Sequence, residues 1–201
     1  MSKTFDAAAV LEAAEAGQQA FGENYLQEAL AKIDAVHAAR PDLALEWHFI
    51  GPIQSNKTRP IAEHFDWVHS IDREKIARRL SEQRPAHLPD LNLCLQVNIS
   101  GEASKGGAAV ADTVAIASAI AALPRIRLRG LMAIPAPSDD ETMQRRAFAH
   151  LRDLLEACNA AGLQLDTLSM GMSADLAAAI AEGATLVRVG SAIFGNRSYA
   201  A

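Results

Sequence analysis

Short runs of β-branched and aromatic residues alternate along this chain with longer alanine- and leucine-rich stretches whose apolar positions recur at helical spacing. The runs at 19–21, 46–50, 67–71, 91–99, 126–132, 166–169 and 185–189 predict seven strands. Helices are predicted over 6–16, 25–39, 56–64, 73–83, 110–122, 141–161 and 174–181, with short loops between. Asp6 is placed to cap the first helix and Gly17 to stop it. Such alternation is the pattern that builds a parallel sheet through right-handed crossovers, so the fold class is α/β. Seven strands, preceded by a lone helix that should itself follow a strand, fall one short of an eight-fold barrel; an open, doubly wound sheet is the competing architecture.

Composition narrows the class without changing it. A chain of 201 residues that is 50% hydrophobic and 21% charged buries a core of single-domain size, so one domain over 1–201 is expected. The net charge of −5 is dispersed, with no basic block, which argues against nucleic acid as a partner. Cys94 and Cys158 lie far apart, outside any C-x-x-C or Cys/His arrangement, and read as reduced residues rather than metal ligands. No apolar run approaches bilayer length, and the expectation is a soluble, cytoplasmic monomer.

The polar residues that could carry chemistry gather where strands end. Strand 185–189 runs into Gly190-Ser191-Ala192-Ile193-Phe194-Gly195, which is either a phosphate cradle built from a glycine, a hydroxyl and free backbone N–H groups, or an ordinary capped turn. Leu168-Ser169-Met170-Gly171-Met172-Ser173 forms a similar junction: its serines either donate to the same anion or, for Ser173, cap the next helix, while its methionines fill the core. Arg188 stands mid-strand among apolar residues, where it needs a ligand acceptor or an ion-pair partner. Of the remaining polar positions, His48 reads as a satisfied core histidine, Lys57 as a solvated lysine and Asn24 as a possible turn former.

Taken together, Ser2-Lys3-Thr4, Phe21-Gly22-Glu23-Asn24-Tyr25, Trp47-His48-Phe49-Ile50-Gly51-Pro52, Gln54-Ser55-Asn56-Lys57, Gly130-Leu131-Met132, the Leu168–Ser173 stretch and the Gly190–Gly195 stretch resemble the pyridoxal 5′-phosphate (PLP) homeostasis protein family, the YggS/PROSC type. That resemblance runs the length of the chain. It implies a (β/α)8 TIM-type barrel of the alanine racemase N-terminal-domain kind, PLP fold type III, lacking here its first helix and most of its first strand. It implies PLP held as a Schiff base on Lys3, with Asn24 beside the cofactor and Met132 lining its pocket. Met172 belongs to the same set, Ser169, Ser173, Gly190 and Ser191 surround the phosphate, and Arg188 faces the pyridine nitrogen. A guanidinium there disfavours ring protonation and weakens the electron sink.

The function implied is PLP storage or delivery to PLP-requiring apoenzymes, without dedicated turnover. A racemase-like enzyme is a second reading, against which stand the absence of an opposing tyrosine and of room for a second β domain. A third is a truncated, cofactor-free relic, since only two residues precede Lys3.

Overall fold

The computed structural model describes residues 1–102 and 105–195. Six strands form one parallel sheet in strictly sequential order: β1 (Ala20–Glu23), β2 (Glu46–Phe49), β3 (Trp67–Ile71), β4 (Leu91–Gln96), β5 (Ile126–Met132) and β6 (Thr167–Ser169). Between and around them run α1 (Ala7–Glu15), α2 (Leu26–Ala39), α3 (Thr58–His64), α4 (Glu74–Gln83), α5 (Thr113–Ala121), α6 (Glu141–Ala160), α7 (Leu176–Ala181) and α8 (Ser191–Phe194). A doubly wound sheet would reverse its strand order part-way; this one never does, and each strand pairs with the next in sequence. The sheet also curls, because the His69 ring on β3 hydrogen-bonds the Ser169 hydroxyl at the end of β6, 100 residues away. The architecture is therefore of the barrel type, six parallel strands curled into a half-barrel, and not the doubly wound sheet.

Alternation along each strand divides the interior in two. Phe21, Trp47, Phe49, Val68, Leu93, Leu128 and Leu168 point outward into the large core shared with the helices. Trp67, Cys94 and Met132 form a small inner cluster with Ile134, joined inside the barrel by His48, His69 and Ser169. Both cysteines are buried and unbridged.

Local signals in the sequence hold at several ends. Asp6 caps α1 by accepting from the Ala9 N–H at 2.9 Å, and Gly17 follows with φ +99°. The expected strand 185–189 does not form. Leu186 makes one isolated bridge to Ser169, and the Thr185, Leu186 and Arg188 N–H groups bond the carbonyls of Leu168, Leu168 and Gly171. Two donors converge on one carbonyl there, so the even ladder of a parallel pair is broken. The expected strand 91–99 likewise ends at Gln96, after which Val97 bridges only Ala108.

The leading residues are held, not frayed. The Ser2 N–H donates to the Gly22 carbonyl at 3.0 Å, and its hydroxyl to Glu23 Oε1 at 2.7 Å. Lys32 Nζ reaches both the Ser2 carbonyl, at 2.8 Å, and Glu23 Oε1, at 2.7 Å. The Thr4 N–H adds a bond to Glu28 Oε1. Ser2 is thus tied to the edge of β1 by a buried network, and Thr4, on the other side of Lys3, to α2 by an exposed hydrogen bond.

Candidate functional site

At the C-terminal ends of the strands lies a cavity of about 540 Å³, within the usual range for small-molecule sites. Lys3, Asn24, Met172, Ser173, Arg188, Gly190 and Ser191 line it, together with Met1, Phe5, Ile50, Ile134 and Gly195. Seven of the nine residues singled out in the sequence therefore meet at one wall, drawn from the leading segment, the end of β1, the β6–α7 loop and the 188–191 turn.

The other two stand behind that wall. Met132 is fully buried in the inner cluster. Ser169 is also fully buried: its hydroxyl lies 2.8 Å from His69 Nδ1 and 2.8 Å from Arg188 Nη1. It supports Arg188 from beneath, and the hydroxyls on the cavity wall are those of Ser173 and Ser191, 3.5 Å apart. Ser173 does not cap α7 as its position suggested; Asp175 takes the N-cap position and its carboxylate accepts from the Met172 N–H instead. Ser191 is likewise the first residue of α8, with Gly190 at the cap position.

Asn24 and Arg188 define the polar character of the wall. The Asn24 side-chain oxygen is buried and has no hydrogen-bond partner among the described residues, an unmet acceptor at the cavity's edge. Close packing sets its position, since a Cβ on Gly51 would collide with the Asn24 carbonyl oxygen. Arg188 is 5% exposed and pairs with no carboxylate among the described residues. Its Nη1 donates to the Ser169 carbonyl at 2.7 Å and to the Ser169 hydroxyl, and its Nη2 to the Ala133 carbonyl at 2.9 Å. Burial pushes it down to about 10, so it still carries its charge at neutral pH.

One participant gave no signal that singled it out in the sequence. His69 is fully buried on β3, and its Nε2 lies 2.9 Å from Nδ1 of His48. His48 Nε2 in turn lies 2.8 Å from Glu46 Oε1, so His48 is a satisfied interior histidine, as expected. Burial, then the neighbouring His48 and Arg188, hold the His69 imidazole well below its ordinary range. The period-two spacing of Glu46 and His48, and of Trp67 and His69, was the available clue, but it says only that each pair shares a face.

The chain is similar to known proteins over its whole length. A family model described as the alanine racemase N-terminal domain matches residues 2–198. The pyridoxal phosphate homeostasis protein of Pseudomonas aeruginosa is 66% identical over 201 residues, covering 100% of this chain and 84% of that protein. This chain belongs to the pyridoxal phosphate homeostasis protein family. The Escherichia coli homeostasis protein is 52% identical over 99% of the chain and 85% of its own length. PipY of Synechococcus elongatus, another similar structure, was solved without PLP (TM-score 0.88, 41% identity) and with PLP bound (TM-score 0.85, 40% identity), each covering 96% of this chain and 90% of PipY. Alanine racemase from Corynebacterium glutamicum shares the fold, with a TM-score of 0.68 at 19% identity over 88% of this chain and 48% of that one.

The donor set of this homeostasis-family cavity fits PLP. Lys3 carries a primary amine, Ser173 and Ser191 carry neutral hydroxyls, and Arg188 is a cation whose Nε–H and second Nη2 hydrogen have no acceptor among the described residues. No group of three or more His, Cys, Asp or Glu side chains suited to a metal exists among the described residues. Nor is any described helix long and apolar enough to cross a membrane.

Proposed function

We propose that this chain binds PLP in the cavity at the C-terminal ends of its strands and serves as a carrier of the cofactor. The observation that carries the reading is the convergence of Lys3, Asn24, Ser173, Arg188 and Ser191, from separated parts of the chain, on one cavity of about 540 Å³. Lys3 would hold the aldehyde, Ser173, Gly190 and Ser191 the phosphate, and Arg188 the ring nitrogen, with Asn24 and Met172 beside the ring. Bound there, the cofactor supplies an electrophilic aldehyde and a ring able to delocalise negative charge.

The protein's own groups favour holding over turnover. A guanidinium donates protons and accepts none, so Arg188 supports an unprotonated ring nitrogen and a weak electron sink. Among the described residues no tyrosine, cysteine or histidine lines this cavity, and two-sided acid/base work on a substrate carbon calls for such a group. Release to PLP-requiring apoenzymes is the role this arrangement suits.

The test is a PLP titration followed by borohydride reduction and peptide mapping. The expected result is one PLP per chain, with the reduced adduct on Lys3 and none trapped in Lys3→Ala. An adduct distribution unchanged by Lys3→Ala would eliminate the site. An amino-acid racemisation assay completes it: turnover at ordinary enzyme rates, of order 1 s⁻¹ or faster, would overturn the carrier role.

A further inference from the structure

The polar side chains inside the barrel join into one continuous line. It runs from the cavity through Arg188, Ser169, His69 and His48 to Glu46, whose half-exposed carboxylate opens at the opposite, N-terminal mouth. Each link is 2.8 or 2.9 Å long.

Donor chemistry fixes the direction of every link. Arg188 only donates, so Ser169 Oγ accepts from it. The Ser169 hydroxyl hydrogen then needs an acceptor of its own, and His69 Nδ1 is the partner within reach. Were that nitrogen protonated, the hydroxyl hydrogen would lie orphaned in a fully buried site, at a cost of about 1–3 kcal/mol. His69 therefore carries its hydrogen on Nε2 and donates to His48 Nδ1, and His48 donates from Nε2 to the Glu46 carboxylate. Around this line stand Cys94 of β4, whose thiol burial pushes up to about 12 and keeps neutral, and Arg129 of β5, which is paired with Asp166. The line thus has a cation at the cavity and an anion at the far mouth, joined by two neutral imidazoles.

We propose that His69 is a positioning residue for Arg188. By taking the Ser169 hydroxyl hydrogen it leaves the Ser169 oxygen free to accept from Nη1. With both Nη1 hydrogens fixed on Ser169 and one Nη2 hydrogen on Ala133, the guanidinium plane cannot roll. Its two remaining hydrogens, on Nε and Nη2, are the ones left for a ligand acceptor. The inference rests on the PLP reading for its ligand, but the constraint on Arg188 exists without one.

The test uses the full chain with His69→Leu, which removes the acceptor, and His69→Asn, whose amide oxygen takes the place of Nδ1. His69→Leu is expected to weaken PLP binding about tenfold, the worth of one hydrogen bond to a charged group, and to shift the absorption of the bound cofactor. His69→Asn should restore most of the affinity and the wild-type spectrum. Wild-type affinity and spectrum in His69→Leu, or an Asn variant as weak as the Leu variant, would overturn the proposal. If His69→Leu fails to fold, Ser169→Ala must show the same weakening. Nitrogen-15 NMR of the ligand-free chain separates this inference from the PLP reading. Restricted Arg188 Nη1 hydrogens are expected in wild type and His69→Asn and averaged ones in His69→Leu; identical spectra refute the positioning role whether or not PLP binds.

Discussion

The Ser2 hydroxyl donates to Glu23 Oε1 at 2.7 Å, and both residues are fully buried. The contact joins the leading segment to the last residue of β1, and so sets where the neighbouring Lys3 stands. Lys32 Nζ closes the arrangement from α2. Burial still raises the Glu23 carboxyl above its ordinary range despite those two partners, so the site is costly to ionise and depends on the lysine.

Lys32→Met should accordingly leave a buried carboxyl without its counter-charge and lower unfolding stability by about 3 kcal/mol. Urea denaturation measures it, and the same variant should slow borohydride trapping of PLP on Lys3. A loss below about 1 kcal/mol would mean the network does not anchor the leading segment.

Ser173 and Ser191 stand 3.5 Å apart on the cavity wall, and we propose that they hold the phosphate. Replacing both by alanine should weaken PLP by roughly 10- to 100-fold, at about 1 kcal/mol for each hydrogen bond. Pyridoxal, which lacks the phosphate, is the control. Its affinity should stay within about twofold of wild type, and an equal loss for both ligands would place the phosphate elsewhere.

Stability should fall on mild acidification because of His69. Its folded-state value lies well below 6.5, so as pH drops through 6.5 the unfolded chain takes up the proton first. The contribution is complete above that pH and is lost progressively below it, at up to about 1.4 kcal/mol per pH unit for one proton. Thermal melts between pH 7.5 and pH 5 should therefore show a steeper decline in wild type than in His69→Asn. Parallel declines would mean His69 charges freely in the fold.

Glycine substitutions should separate backbone support of the site from general strain. A methyl group at Gly51 runs into the backbone of Asn24, so Gly51→Ala should cost about 2 kcal/mol and also weaken PLP binding. Gly162 has φ +98° but open space around it, so Gly162→Ala should cost about 1 kcal/mol and leave PLP affinity unchanged. Calorimetry and a PLP titration on the two variants compare them directly.

The α/β class, the place of six of the seven expected strands, and the strand-end turns that bear Asn24, Ser173 and Gly190 were legible along the chain, whereas Lys3 entered through the family resemblance. Strand alternation, helical periodicity and caps such as Asp6 act over a few residues, and so they can be read in order along the chain. Tertiary structure alone decided that 185–189 remains a bridge rather than a strand, because its N–H groups share carbonyls of the β6 edge unevenly. It also placed Ser169 behind the cavity instead of on it, and joined His48 and His69, of which only His48 was singled out along the chain, into a line behind Arg188. Those outcomes depend on the curl of the sheet, which brings β3 against β6 across 100 residues of sequence. Local patterning gives the face on which a side chain stands, and only the curl of the whole sheet determines which side chain it meets there.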